Sequence, residues 1–156
     1  MLKKPTRKRA TLSQPGHFAI VASQYNQRYV DALLRYARAE LKAANVASIQ
    51  VVRVPGAFEI PVVASALARN HLPRLSAILC FGVVFQGETT HAQHISDAVS
   101  HSLAKLQVDS LIPVIHGVYH FQNEEQARVR CLSKTHSRGI EIARTALSMA
   151  NVMQSL

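Results

Sequence analysis

Four short segments of the chain are rich in apolar and β-branched residues and are bounded by turn-forming residues. They cover residues 17–22, 48–54, 75–85 and 111–119. Such segments predict strands, and the unbroken apolar stretch from Cys80 to Phe85 is typical of a strand buried on both faces of a parallel sheet. Pro113 cannot donate a hydrogen bond to a neighbouring strand, so we expect it at a sheet edge or at the beginning of its strand.

The segments that follow the predicted strands carry apolar residues at helical spacing. After the first strand, Val30, Leu33, Ala37 and Leu41 recur every three or four positions, and charged residues lie off that stripe. The predicted helices cover residues 27–44, 61–70, 90–106, 123–132 and 138–153. Strand and helix alternate four times before a final helix. This order predicts a single-domain α/β protein with a doubly wound, flavodoxin-like, four-stranded parallel sheet flanked by helices.

Length and composition agree with one compact domain. The chain has 156 residues, 48% of them hydrophobic, and no Trp. It contains neither an apolar run of about 18 residues nor a leader with a cleavage site, so we expect a cytoplasmic protein without a membrane span. The two cysteines, Cys80 and Cys131, have no metal-binding spacing, and we expect both to be buried thiols.

The formal charge of +9 is concentrated at the start of the chain. Five cations precede the first apolar segment: Lys3, Lys4, Arg7, Lys8 and Arg9. We expect a flexible basic arm over residues 1–16 and a folded domain over residues 17–156. A basic arm can bind nucleic acid, but the remaining sequence has no aromatic RNA-binding signature and no zinc-finger spacing. Nucleic-acid binding is therefore a minor hypothesis.

Ligands of doubly wound sheets bind beyond the carboxyl ends of the strands, and several side chains with binding chemistry fall there. They are Tyr25 after the first strand, Phe58 and Glu59 after the second, residues 87–91 after the third, and His116 in the fourth. The stretch after the third strand combines Gly87, which permits a tight turn, with two threonines that can cap the next helix. Orphan backbone N–H groups and the helix dipole make phosphate or carboxylate its natural ligand. His91 can move protons there, because the ordinary pKa of histidine is close to neutrality. Taken singly, each of these residues also has a purely structural explanation.

Two motifs, in order, carry a family resemblance. Residues 54–61 read Val-Pro-Gly-Ala-Phe-Glu-Ile-Pro, and residues 82–91 read Gly-Val-Val-Phe-Gln-Gly-Glu-Thr-Thr-His. Shorter matches at residues 113–117, 125–127 and 138–139 support them. On these motifs the chain, from about Phe18 onward, resembles the lumazine synthase family of riboflavin biosynthesis.

The resemblance implies a condensation of a ribitylamino-substituted aminopyrimidinedione with dihydroxybutanone phosphate, without metal or organic cofactor. It makes His91 the proton-transfer residue, Arg130 with the backbone of residues 87–90 the phosphate site, and Phe58 with Glu59 the site for the ring and the ribityl chain. The substrate-binding residues that it implies are Tyr25, Ala57, Phe58, Glu59, Val84, Phe85, Gly87, Glu88, Thr89, Thr90, His116, Arg130 and Arg138. It also implies a homo-oligomer, a pentamer or a multiple of it. The site would lie between neighbours, with Phe58, Glu59 and His91 from one subunit and His116, Arg130 and Arg138 from the next.

Some positions depart from the usual family pattern, and two other functions stay open. The departures are Gln24, Tyr25, Gln86, Gln93, His116 and Arg138. One alternative is a metal hydrolase, suggested by His91, His94, His101, His116 and His120. The other is a non-catalytic protein that binds a flavin or a phosphorylated metabolite, because aromatic and phosphate-binding features would serve it equally well.

Overall fold

Four parallel strands and five helices make up most of residues 8–156, the part of the chain that this structure, a computed structural model, describes. The strands are β1 (His17–Ser23), β2 (Ser48–Val54), β3 (Ala77–Phe85) and β4 (Val114–Phe121). The helices are α1 (Gln27–Ala43), α2 (Ile60–Asn70), α3 (His91–Ser110), α4 (Glu124–Ala127) and α5 (Arg138–Gln154). A 3₁₀ turn (Ala57–Glu59) precedes α2, and a π-helical turn (Arg128–Leu132) continues α4. Strand and helix alternate as the sequence predicts.

The sheet has the order β2-β1-β3-β4, and every neighbouring pair is parallel. The central strands β1 and β3 are buried almost throughout, which explains why their sequences are apolar without alternation. The chain leaves β1 towards one edge of the sheet and leaves β3 towards the other. The crevice between the carboxyl ends of these two strands is therefore the switch point where doubly wound proteins bind ligands.

Two helical layers cover the sheet. Alternate residues of β1, such as Phe18 and Ile20, pack in one core with α1 and α5, whereas Ala19 and Val21 pack in the other with α2 and α3. The first layer is tight, since a Cβ added at Gly139 of α5 would lie 2.3 Å from the carbonyl oxygen of Leu33 in α1. Only glycine lets the two helix backbones approach so closely.

The element boundaries differ from the sequence-based ones mainly near β4. Pro113 lies directly before β4 and has no N–H to donate. Its carbonyl oxygen accepts a hydrogen bond from the backbone N–H of Ile78 at 2.8 Å. The strand then extends to Phe121, because His120 and Phe121 pair with the last two residues of β3. Helix α3 runs to Ser110, four residues beyond the predicted end, and stops where Leu111 adopts a left-handed conformation with φ 57°.

The start of the described chain lies against α1 and α5. Arg9 bonds with Glu40 of α1, while the side chain of Asn151 in α5 bonds with the backbone of Thr11 and Ser13. The first seven residues of the predicted arm lie outside the described residues, so the flexibility of this arm stays a prediction.

Cys80 and Cys131 are both free and buried, as the sequence predicts, and burial raises the pKa of each thiol to about 12. Within residues 8–156, none of the helices is long and apolar enough to span a membrane.

Candidate functional site

At the carboxyl edge of the sheet, the loop after β1 is tied to the loop after β2 and to the end of β3. The Asn26 side-chain amide donates to the carbonyl oxygen of Val83 at 2.7 Å, and the backbone N–H groups of Gln24 and Tyr25 donate to that of Pro55. Asn26 has φ 56°, a conformation that asparagine tolerates better than most residues. These bonds give the switch point a fixed shape before any ligand arrives.

A first pocket, of about 520 Å³, opens between the 3₁₀ turn and α3. It is lined by Phe58, Glu59, His91, His94, Ile95 and Ala98. The side chain of Phe58 is 61% exposed, so its ring is free to stack on a flat ligand. Ala57 is buried beside it, and one carboxylate oxygen of Glu59 accepts from the Gly56 N–H at 2.8 Å. We call this pocket the ring pocket. It combines an aromatic face, a carboxylate fixed by a hydrogen bond, and two imidazoles.

The turn over residues 87–90 leads from β3 to the ring pocket. Thr90 occupies the position before α3 without capping it, and the hydroxyl of Thr89 accepts from the backbone N–H of His91 at 3.4 Å. Thr90 instead bonds with His94 Nε2 at 3.2 Å through its hydroxyl. Gly87 does not have a positive φ, and an added Cβ would meet nothing within 4 Å. The glycine is therefore not what bends this turn.

A second pocket, of about 700 Å³, lies between β4 and α5. Its lining includes His116, Tyr119, Arg130, Arg138 and Glu141. The guanidinium of Arg130 lies 6.0 Å from the ring centre of Phe121, and its Nε is buried without a hydrogen-bond partner among residues 8–156. A buried donor of this kind is costly to leave unpaired. We call this the cation pocket, because an anion there would meet two arginines.

The other polar groups of the cation pocket have shifted pKa values or polar partners. Partial burial lowers the pKa of His116, although a hydrogen bond with its own backbone acts in the opposite direction, and His116 Nε2 bonds with Ser100 Oγ at 2.8 Å. Burial raises the pKa of Tyr119 well above its ordinary value, so the phenol stays neutral. Arg138 forms an ion pair with Glu141 one helical turn away.

The ring pocket and the cation pocket share no residue. The structure thus brings Phe58, Glu59 and His91 together in one place and His116, Arg130 and Arg138 together in another. The side chain of Tyr25 is 71% exposed and lies over Gly56.

The two predicted binding residues that end β3 face opposite sides of the sheet. Phe85 packs edge to face on Tyr29, with ring centres 5.6 Å apart, and against Phe121 in the α1/α5 core. Val84 packs at the edge of the α2/α3 core.

Three site residues in α3 were absent from the predicted substrate-binding residues, although His94 was named for the metal-hydrolase alternative. His94, Ile95 and Ala98 line the ring pocket because they follow His91 at three, four and seven positions, one face of a helix. That spacing was a usable signal. Tyr119 and Glu141 were missed as well, and no local pattern distinguishes them, since they meet only when α5 packs beside β4.

The five histidines of the metal-hydrolase alternative lie in different settings. His91 and His94 line the ring pocket, and His116 lines the cation pocket. His101 is exposed on α3, and His120 bonds with Gln86. Within residues 8–156, no group of three or more His, Cys, Asp or Glu side chains is placed to hold a metal ion.

A doubly wound parallel sheet with an aromatic pocket at the carboxyl edge of its strands is typical of α/β proteins that bind a small molecule. Comparison with known proteins narrows this class. The sequence model of the 6,7-dimethyl-8-ribityllumazine synthase family matches residues 15–154, and the chain belongs to that family.

Individual relatives carry the same name. The chain is 38% identical over 145 residues to the 6,7-dimethyl-8-ribityllumazine synthase of Stenotrophomonas maltophilia (strain R551-3). The alignment covers 92% of each of the two chains. It is 41% identical over 140 residues to that of Mycolicibacterium gilvum (strain PYR-GCK), covering 88% of this chain and 86% of the relative. The resemblance noted from the two motifs is thus confirmed, as is the α/β fold.

Proposed function

We propose that this chain condenses 5-amino-6-(D-ribitylamino)uracil with 3,4-dihydroxy-2-butanone 4-phosphate to form 6,7-dimethyl-8-ribityllumazine, with release of phosphate and water. The observation that carries the proposal is the ring pocket. It brings Phe58, Glu59 and His91 together, and His91 directly follows the turn over residues 87–90. The two substrates need these features, namely a surface for a flat ring, an acceptor for hydroxyl or amine groups, a proton carrier and an anion site.

Each group has a role that suits its chemistry. Phe58 stacks on the pyrimidinedione, and Glu59 accepts hydrogen bonds from the ribityl chain. Imine formation, phosphate loss and ring closure all move protons, and His91 serves these steps as general acid and base. Much of the acceleration comes from holding two reactants together, so no nucleophilic side chain and no cofactor is needed.

Phosphate binding is assigned to the turn over residues 87–90 together with Arg130. A phosphate dianion is matched by the planar fork of an arginine, which donates two parallel hydrogen bonds. The buried Nε of Arg130 supports this assignment, because a bound anion would supply the hydrogen-bond acceptor that this N–H lacks within residues 8–156.

The complete site is proposed to form between subunits of a homo-oligomer, a pentamer or a multiple of it. The separation of the ring pocket from the cation pocket supports this arrangement. In a ring of heterologous contacts, one face of each subunit meets a different face of its neighbour, so the ring pocket of one chain can be completed by the cation pocket of the next. Two free, buried cysteines are in keeping with a reducing compartment, and we propose a cytoplasmic location.

The direct test supplies purified protein with both substrates and follows the absorbance of the lumazine product. We expect product to form far faster than without protein, and none when either substrate is omitted. Binding of both substrates without faster product formation would favour the non-catalytic binding protein instead.

A further inference from the structure

The side chain of Gln86 holds the turn over residues 87–90 from inside. The Gln86 amide nitrogen donates to the carbonyl oxygens of Gly87 at 2.8 Å and of Thr89 at 3.1 Å. The backbone N–H of Gln86 in turn donates to the carbonyl oxygen of Phe121 at 2.8 Å, which anchors it to the end of β4. Since Gly87 has an ordinary φ, these bonds are what shape the turn.

A second side chain fixes the orientation of the first. His120 Nε2 lies 2.8 Å from the amide oxygen of Gln86. That oxygen can only accept a hydrogen bond, so His120 Nε2 must carry a proton. A rotation of the Gln86 amide by half a turn would bring its oxygen against two carbonyl oxygens, and the His120 bond opposes that rotation.

The consequence for ligand binding follows from the planarity of the peptide bond. In a trans peptide the carbonyl oxygen and the next N–H point in opposite directions. Gln86 draws the carbonyl oxygens of Gly87 and Thr89 inward, so the N–H groups of Glu88 and Thr90 point outward, on the exposed side of the turn. Two outward N–H groups directly before α3 suit an anion.

We propose that Gln86 and His120 are positioning residues that preorganise the Glu88 and Thr90 amides for the substrate phosphate. This proposal rests on the proposed function, because the phosphate is that of the second substrate. Neither side chain needs to touch the ligand. Fixing the donors beforehand removes the cost of ordering them when phosphate arrives.

The test uses inorganic phosphate, the released product, as the probe. Its affinity is measured by equilibrium titration for the wild type, Gln86→Leu, His120→Leu and the double variant. We expect Gln86→Leu to weaken phosphate binding about tenfold, the scale of one hydrogen-bonded contact. The His120→Leu loss should be smaller, the double variant should be no weaker than Gln86→Leu, and His120→Gln, which retains a donor, should restore the affinity.

Two controls separate positioning from loss of structure. The KM for the pyrimidine should stay unchanged in every variant while the KM for the butanone phosphate rises, and His101→Leu, at an exposed histidine of α3, should alter neither. The wild-type protein also gives a readout, since nitrogen NMR should find the proton of the neutral His120 ring on Nε2. A proton on Nδ1 alone would overturn the proposal.

Other results also contradict it. They are unchanged phosphate affinity in Gln86→Leu, additive losses in the double variant, a parallel loss of pyrimidine affinity, or no phosphate binding by the wild type. Lumazine formation by the wild type keeps the two proposals apart. If it forms while Gln86→Leu binds phosphate normally, only the positioning pair is wrong. If it does not form but the variants weaken phosphate as expected, only the synthase function is wrong.

Discussion

His91 and Arg130 carry the two most demanding tasks of the proposed reaction, moving protons and holding phosphate. His91 begins α3 and faces the ring pocket beside Glu59, where a ligand can reach it. Arg130 sits in the π-helical turn after α4, with its Nε buried and its guanidinium over Phe121. Each task can be removed separately by one substitution.

Replacing His91 with Ala should lower kcat by about 10²–10⁴, the usual contribution of a positioned general acid and base, and should change either KM little. Steady-state kinetics with each substrate varied in turn measures both effects. An unchanged kcat would exclude His91 from proton transfer.

Replacing Arg130 with Ala should raise the KM for the butanone phosphate and leave that for the pyrimidine nearly unchanged. Arg130→Lys is the matched control, because lysine retains the charge without the planar fork, and it should recover only part of the affinity. A loss confined to the pyrimidine would show that Arg130 does not hold the phosphate.

At the scale of elements, Glu40 joins α1, α5 and the start of the described chain. Its carboxylate accepts hydrogen bonds from Arg144 Nε at 2.9 Å and from Arg9 Nε at 3.1 Å. Burial alone would raise the pKa of Glu40, but the bonds and charges of the two arginines outweigh it and leave the pKa below its ordinary value. The unfolded chain therefore binds this proton more readily, so the ion pairs stabilise the fold fully above about pH 4.5 and progressively less as the pH falls through the folded-state pKa.

We expect Glu40→Gln to lower the free energy of unfolding by about 1–3 kcal/mol at neutral pH, since two charge-assisted contacts are weakened. The difference from the wild type should begin to shrink as the pH falls below about 4.5, and it should be smallest below the lowered folded-state pKa of Glu40, where both proteins carry a neutral side chain. Thermal unfolding across that range measures it, with Glu124→Gln, at an exposed carboxylate of α4, as the control. A difference that grows towards acid would contradict the sign of the pKa shift.

The sequence predicted elements best where local signals and tertiary structure agree. Strand β2 has the predicted bounds, because Pro55 and Gly56 end it locally. The end of β4 was misplaced by two residues, since only pairing with β3 extends the strand to Phe121. For the candidate site, the sequence could predict that His91 and Glu59 lie near each other, because both follow the carboxyl ends of strands in one parallel sheet. The contact between Gln86 and His120 could not be predicted, because these residues are 34 positions apart and meet only through the register between β3 and β4.

At the scale of the whole molecule, one chain holds the ring pocket and the cation pocket as separate cavities. The proposed reaction needs the functions of both at one place. The proposed closed ring, with the ring pocket of each subunit facing the cation pocket of its neighbour, would satisfy this need without any rearrangement inside the chain.

The measurement that tests this arrangement most directly mixes two variants, each nearly inactive when the butanone phosphate is kept far below the raised KM of Arg130→Ala. Subunits carrying His91→Ala and subunits carrying Arg130→Ala are unfolded together, reassembled in equal amounts and assayed for lumazine formation. In a random ring about a quarter of the interfaces receive an intact His91 from one subunit and an intact Arg130 from the next. We predict a rate clearly above the sum of the two separate variants and approaching a quarter of the wild-type rate. No recovery, with mixed rings confirmed by mass, would mean that each site is built within one chain.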